Sequence, residues 1–172
     1  ETAEAAVTEK EEAVENAKTA LEEKETAYQE AQDKLAELDE NYKQAVEATR
    51  AAQEKVNSAQ EAVNSAQSAL SSAQATLSST PSTIPETRTG TSADGTTYTY
   101  TVQVPNPAYA AAQQAVKEAE ANLAEKEKEL QAAQEELQKC KDAEQKALDA
   151  VNTQKEEVAQ AKQAVEDAQQ QL

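Results

Sequence analysis

Every glycine and proline of the chain falls between Pro81 and Pro107: Pro81, Pro85, Gly90, Gly95, Pro105 and Pro107. These are the residues that interrupt helices. Their confinement to one stretch marks a single interruption between two long arms. The arms are dominated by Ala, Glu, Lys, Gln and Leu, the profile of long helices or coiled coil. The chain has no Phe, Trp or Met, so the large side chains that fill an ordinary globular core are missing. The segments read as a first helical arm over 1–79, a tip over 80–108 and a second arm over 109–172, one domain in all. The helices themselves are expected near 4–78 and 107–172.

A heptad repeat runs through the first arm. Every seventh residue from Val7 is large and apolar (Val7, Val14, Leu21, Tyr28, Leu35, Tyr42, then Val56, Val63, Leu70, Leu77), with Thr49 the exception. Three residues after each lies a small one: Ala17, Ala31, Ala45, Ala52, Ala59, Ala66 and Ala73, with Leu38 larger and Lys10 and Lys24 polar. The second arm repeats the grammar from Tyr109 through Val116, Leu123, Leu130 and Leu137 to Val151, Val158 and Val165, broken at Glu144. Its small series is Ala112, Ala119, Ala133, Cys140, Ala147, Ala161 and Ala168, with Lys126 and Gln154 polar.

In an antiparallel pair, the large position of one helix faces the small position of the other. The spacing therefore predicts an all-α, long antiparallel two-helix coiled-coil hairpin with an Ala-rich seam, on the order of 100 Å long. Opposed residues should have numbers totalling roughly 182–189. On the larger total, Thr49 lies beside Cys140, which is expected to be buried and inert. Leu38 and Leu148 are expected to fill the layer that Glu144 breaks. The first turns of arm one are left without an opposite helix. With the opening at Glu1 in mid-pattern, that suggests a piece of a longer protein.

The tip alternates from Thr96 to Val104: Tyr98, Tyr100, Val102 and Val104 on one face, Thr97, Thr99, Thr101 and Gln103 on the other. That is a strand signal. Ser92-Ala93-Asp94-Gly95 reads as a type I turn with a glycine bulge, and Ile84–Thr89 can pair back. Pairing in this sense puts Ile84 and Arg88 on the tyrosine face, where Arg88 can stack on Tyr98 or Tyr100. Asn106 reads as the N-cap of the second helix. A plain helix–helix connection needs only ~2–8 residues, so the surplus needs a reason. Tyr and Arg recur where proteins bind each other. Ile84, Arg88, Thr97, Tyr98, Thr99, Tyr100 and Val102 are the candidate partner-binding residues. The competing reading docks the rings on the coil end near Leu77 and Tyr109 as a cap. A second candidate surface is the nearly uncharged flank from Val56 to Ser79.

The formal net charge of −17 argues against nucleic acid and anionic membrane as partners. With no His, one Cys and no phosphate-loop or metal-ligand spacing, no enzyme activity, cofactor or metal site is expected. Carboxylate pairs such as Glu22/Glu23, Glu135/Glu136 and Glu156/Glu157 read as solvated charge. Repeats such as AVNSAQSALSSAQ and AEKEKELQAAQEELQ resemble the coiled-coil stalks of cell-wall-anchored surface proteins and adhesins of Gram-positive bacteria. The plan is also similar to the receptor-binding rods of colicins and to hairpins of bacterial secretion adaptors. The adhesin resemblance implies an extracellular, bacterial cell-surface location. It also implies a tip projected toward a protein of the host or of a neighbouring cell, with a glycan the lesser alternative. Two other roles stay open: a structural spacer between domains, and an assembly adaptor joined through the Ala-rich flanking positions such as Ala13 and Ala62. A monomer is the expected state, with a dimer as the alternative.

Overall fold

The structure is a computed structural model. It describes residues 2–171, with side chains from Ala3 to Gln171. Helix α1 spans Thr2–Ser79 and α2 spans Pro107–Gln171, with strands β1 (Thr83–Thr91) and β2 (Thr97–Pro105) between them. The chain is 84% helical, and the two long helices pack against each other. The antiparallel hairpin read from the heptads is therefore the observed fold. Helix α1 and strand β1 run a residue or two beyond their expected limits, β2 is shifted by one residue, and α2 starts where expected. No helix among the described residues is long and apolar enough to cross a membrane.

The seam follows the heptads. In α1 the large positions from Leu21 to Leu77 and the small ones from Ala31 to Ala73 are at least half-buried. Ala17 joins them, whereas Lys10 and Lys24 stay exposed. In α2 the same holds from Tyr109 to Val165, including Glu144 and Lys126. The most buried large side chain is Val151, 1% exposed. Burying a side chain of that size stabilises by about 1.5–3 kcal/mol. Most layers are only half-closed, as an alanine seam between two helices dictates.

The packing divides into two units, one of residues 1–52 with 137–172 and one of residues 53–136. In the first, Gln154 Nε2 donates to the Ala31 carbonyl at 3.1 Å, and Lys34 pairs with Glu157 at 3.7 Å. In the second, Lys55 Nζ meets Glu136 at 2.8 Å. Both Lys–Glu pairs total 191 in residue number and the Gln154 contact totals 185. They bracket 188, the total fixed by the tip register, in which Thr83 faces Pro105. So one register holds in each unit, near the upper end of the expected range. Glu136 and Glu157 are more than solvated charge, because each reaches the opposite arm. Exposed pairs of this kind are worth about 0–1 kcal/mol each. They select a register more than they hold the fold.

Three expectations for the seam meet different outcomes. Cys140 is half-buried rather than buried. Small residues of the same series are sealed at Ala52, Ala66 and Ala112, so the seam closes unevenly along its length and leaves Cys140 partly open. Thr49 turns its hydroxyl to the Ala45 carbonyl of its own helix at 3.0 Å. Leu38, Glu144 and Leu148 are all half-buried. At the start of α1, Val7 and Val14 are 57% and 43% exposed. They continue the heptad past the stretch that the described residues of α2 face, since on a total of 188 Gln171 lies opposite Ala17.

Candidate functional site: the tip hairpin

Helix α1 ends without a glycine cap. Two of its last carbonyls are taken locally instead: Thr76 O accepts from the Ser79 and Thr80 hydroxyls at 3.0 and 2.7 Å, and Leu77 O accepts from Thr80 N–H at 3.2 Å. Pro81 then forbids continuation. Helix α2 starts at Pro107, a residue suited to a first turn. Asn106 caps it as expected, its Oδ1 accepting from Ala108 N–H at 3.0 Å. The same side chain donates from Nδ2 to the Pro81 carbonyl at 2.7 Å, and its backbone N–H donates to Ser82 O at 2.9 Å. One residue thus caps α2 and ties the exit of α1 to its entry, which fixes the base of the tip.

Strands β1 and β2 pair antiparallel, Ile84 with Val104 and Gly90 with Tyr98. The turn is as read. Gly95 N–H donates to Ser92 O at 3.0 Å, and Ser92 N–H donates to Thr96 O at 2.9 Å. Gly95 has φ of +87°, which a side chain would resist. Asp94 Oδ1 accepts from Thr96 N–H at 3.0 Å. That bond holds the Asp94 carboxyl below its ordinary pKa.

Even-numbered residues share one face: Ile84, Glu86, Arg88 and Gly90 beside Tyr98, Tyr100, Val102 and Val104. The Tyr98 and Tyr100 rings lie 5.9 Å apart at 37°. They remain 52% and 42% exposed, so they are not docked on the helix ends. Tyr109 and Leu77, the residues such a cap would cover, are half-buried in the coil. Ile84 is 38% exposed, and Val102 is half-buried. Arg88 sits opposite Tyr100 as expected. Its guanidinium, however, turns to the Glu86 carboxylate at 3.2 Å instead of stacking on a ring. Glu86, two residues along the same face, competes for it. Thr97 and Thr99 lie on the other face, exposed.

The seven sequence-predicted residues are thus brought to one hairpin but divided between its two faces. Sequence reasoning missed Gly90 and Glu86. Only the strand register reveals that Gly90 faces Tyr98 and that Glu86 lies beside Arg88. On the alternative flank, hydroxyls bond their own helix. Ser65 reaches Glu61 O, Ser68 reaches Asn64 O and Ser72 reaches Ser68 O, at 2.9–3.0 Å. That leaves the flank fewer donors for a partner. Among the described residues no group of three His, Cys, Asp or Glu could hold a metal ion. No family model matches the chain, and no curated protein or solved structure gives a match.

Proposed function

We propose that this is a non-enzymatic coiled-coil hairpin that presents its β-tip to a partner protein, as an adhesin-like module at a bacterial cell surface. One observation carries this reading. The chain spends a whole β-hairpin on the turn, and the paired Tyr98 and Tyr100 rings on it face solvent instead of the coil. Tyrosine buries ring area at low entropic cost while its hydroxyl keeps a partner, which suits a surface made to be covered. The reading places Ile84, Val102 and the two tyrosines at the contact, with Arg88 at its margin.

The test is capture from host serum and mucosal extracts by the intact chain and by a Tyr98→Ser/Tyr100→Ser double variant. Contact residues predict that the variant loses roughly 2 kcal/mol of binding to whatever the wild type captures, with an unchanged thermal midpoint. A chain that captures nothing reads instead as a spacer between domains. Capture that survives the double change moves the site to the Val56–Ser79 flank.

A further inference from the structure

The two outer edges of the tip hairpin are unequal. Ser92 N–H bonds Thr96 O and Asn106 N–H bonds Ser82 O. Both pairs continue the strand register, and both join even-numbered residues. In an antiparallel ladder the bonded pairs recur at every second residue. Even residues therefore turn their N–H and C=O groups inward, and odd residues turn theirs to the outer edge. On β1 the outward series runs Thr83, Pro85, Thr87, Thr89, Thr91. Pro85 lacks the donor and interrupts it, and Glu86 and Arg88 add charge beside the break. On β2 the outward series is Thr97, Thr99, Thr101 and Gln103, unbroken until Pro105 and exposed throughout. Proline and charge are devices that keep edge strands from pairing. Here they guard β1 and leave β2 open.

We propose that the outer edge of β2 pairs with β2 of a second copy of this chain, antiparallel about a two-fold at Tyr100. The product is a four-stranded sheet. A chain of net charge −17 repels its copies wherever acidic arms meet. Strand β2 carries no charge over its whole length, so a copy docked there brings no like charges together. Its sequence also complements itself. Thr99 meets Thr101 of the second copy, Thr97 meets Gln103, and Tyr98 meets Val102, with Tyr100 facing its own counterpart. Threonine pairs and aromatic or β-branched pairs are favourable across strands. A self-complementary patch of this kind is what a two-fold interface requires. A two-stranded hairpin is marginal alone and gains from added strands. The pairing does not rest on the partner-binding reading, but it sets the tyrosines of both copies on one sheet face.

Sedimentation equilibrium of the full chain, from micromolar to millimolar concentration, tests this against three variants. Thr99→Pro removes one outward N–H, which an edge position tolerates. Thr101→Lys puts a charge on the edge, and Thr87→Lys does the same on β1 as a control. The Ser92 amide shift, whose N–H donates across the hairpin to Thr96 O, reports whether each hairpin is intact. Should Thr99→Pro lose that signal, Thr101→Lys decides. The expected result is a concentration-dependent dimer, weakened about tenfold or more by either β2 change and within about twofold of wild type in the β1 control. A monomer at every concentration overturns the proposal, including one whose edge takes up an added peptide strand. So does a dimer indifferent to both β2 changes, which would place association on the Ala-rich helix flanks. Equal loss in the β1 control overturns it too.

Discussion

The ring of Tyr98 lies over Gly90 of the facing strand, so close that a Cβ at position 90 would stand 2.8 Å from Cζ and 3.0 Å from the hydroxyl. Gly90 is the bare place on β1 that lets the ring lie across the hairpin, and the ring covers backbone that glycine leaves open. The atoms in conflict are the far end of a rotatable side chain. Gly90→Ala should therefore move the ring and spare the strands. Overall stability is expected within about 1 kcal/mol of wild type, since alanine also relieves glycine's entropic cost. The Tyr98–Tyr100 ring contact is expected to be lost. Aromatic proton shifts of the two tyrosines check this, and unchanged shifts would refute the geometry.

Asn106 separates capping from tethering. Asn106→Ala removes both the Ala108 cap and the bond to Pro81 O. Loss of a cap costs about 0.5–2 kcal/mol, and a hydrogen bond adds about 1 kcal/mol more. Asn106→Asp keeps the capping oxygen but replaces the Nδ2 donor with a carboxylate against the Pro81 carbonyl. It should keep helical content at the start of α2 while loosening the base of the tip. Amide exchange at Ala108 and at residue 106, whose N–H donates to Ser82 O, distinguishes the two: protection is lost at both in the alanine variant and only at the second in the aspartate variant.

The helical frame was legible because its signal is local and repeated. From Leu21 to Ala168, each seam position that is apolar in the sequence is at least half-buried. The turn at Gly95 was legible for the same reason, since one residue type and its neighbours fix it. The polar contacts were not. Whether Lys55 meets Glu136, or Gln154 meets Ala31, depends on a register that heptads specify only to within one repeat. Gln154 looked like a flaw in the small series, yet it is 3% exposed and bonded across the arms. Arg88 shows the converse. Its face follows from alternation, but its partner was decided by the Glu86 carboxylate along the strand.

Gln154 is expected to respond to charge more than to size. A polar residue in a seam favours one register at some cost in stability. Gln154→Leu keeps the volume and gives up one hydrogen bond, so its stability should lie within about 1.5 kcal/mol of wild type. Gln154→Glu sets a buried carboxylate against the Ala31 carbonyl, which raises the carboxyl pKa. A carboxyl with a raised folded pKa loses stability as the pH rises above its unfolded value, fully so above the raised one, and regains it on acidification because the protonated acid can again donate to the carbonyl. The glutamate variant should be the less stable of the two at neutral pH and recover as the pH falls. Denaturation midpoints at the two pH values check this, and a pH-independent midpoint difference between Gln154→Glu and wild type would count against a buried carboxylate.

Leu137 tests the claim that a thin seam concentrates stability in its few large side chains. It is buried, and the heptads supply mostly alanine at the positions that face large ones, which can do little to close a gap. Leu137→Ala is expected to cost roughly 2–4 kcal/mol. The equivalent change at Val14, which is 43% exposed, should cost well under 1 kcal/mol. Equal losses at the two positions would mean that helix propensity, not the seam, holds the arms together.

Asp94 gives the turn a pH dependence of known sign. Its carboxylate accepts the Thr96 N–H, and that bond is the first cause of its lowered pKa. The folded turn therefore prefers the ionised form. The stabilisation is fully present above the ordinary aspartate pKa and is lost as the pH falls through the lowered value. The tip should loosen only in strong acid. The Thr96 amide proton should shift with a midpoint below that of an unstructured aspartate, and Asp94→Ala should abolish the transition. Asp94→Asn keeps an oxygen acceptor without the titration. It should hold the turn at both ends of the pH range, with the Ser92–Thr96 closing bond intact. A Thr96 midpoint at the ordinary value in the wild-type chain would show that the carboxylate does not hold the bulge closed, leaving Gly95 alone to set the turn.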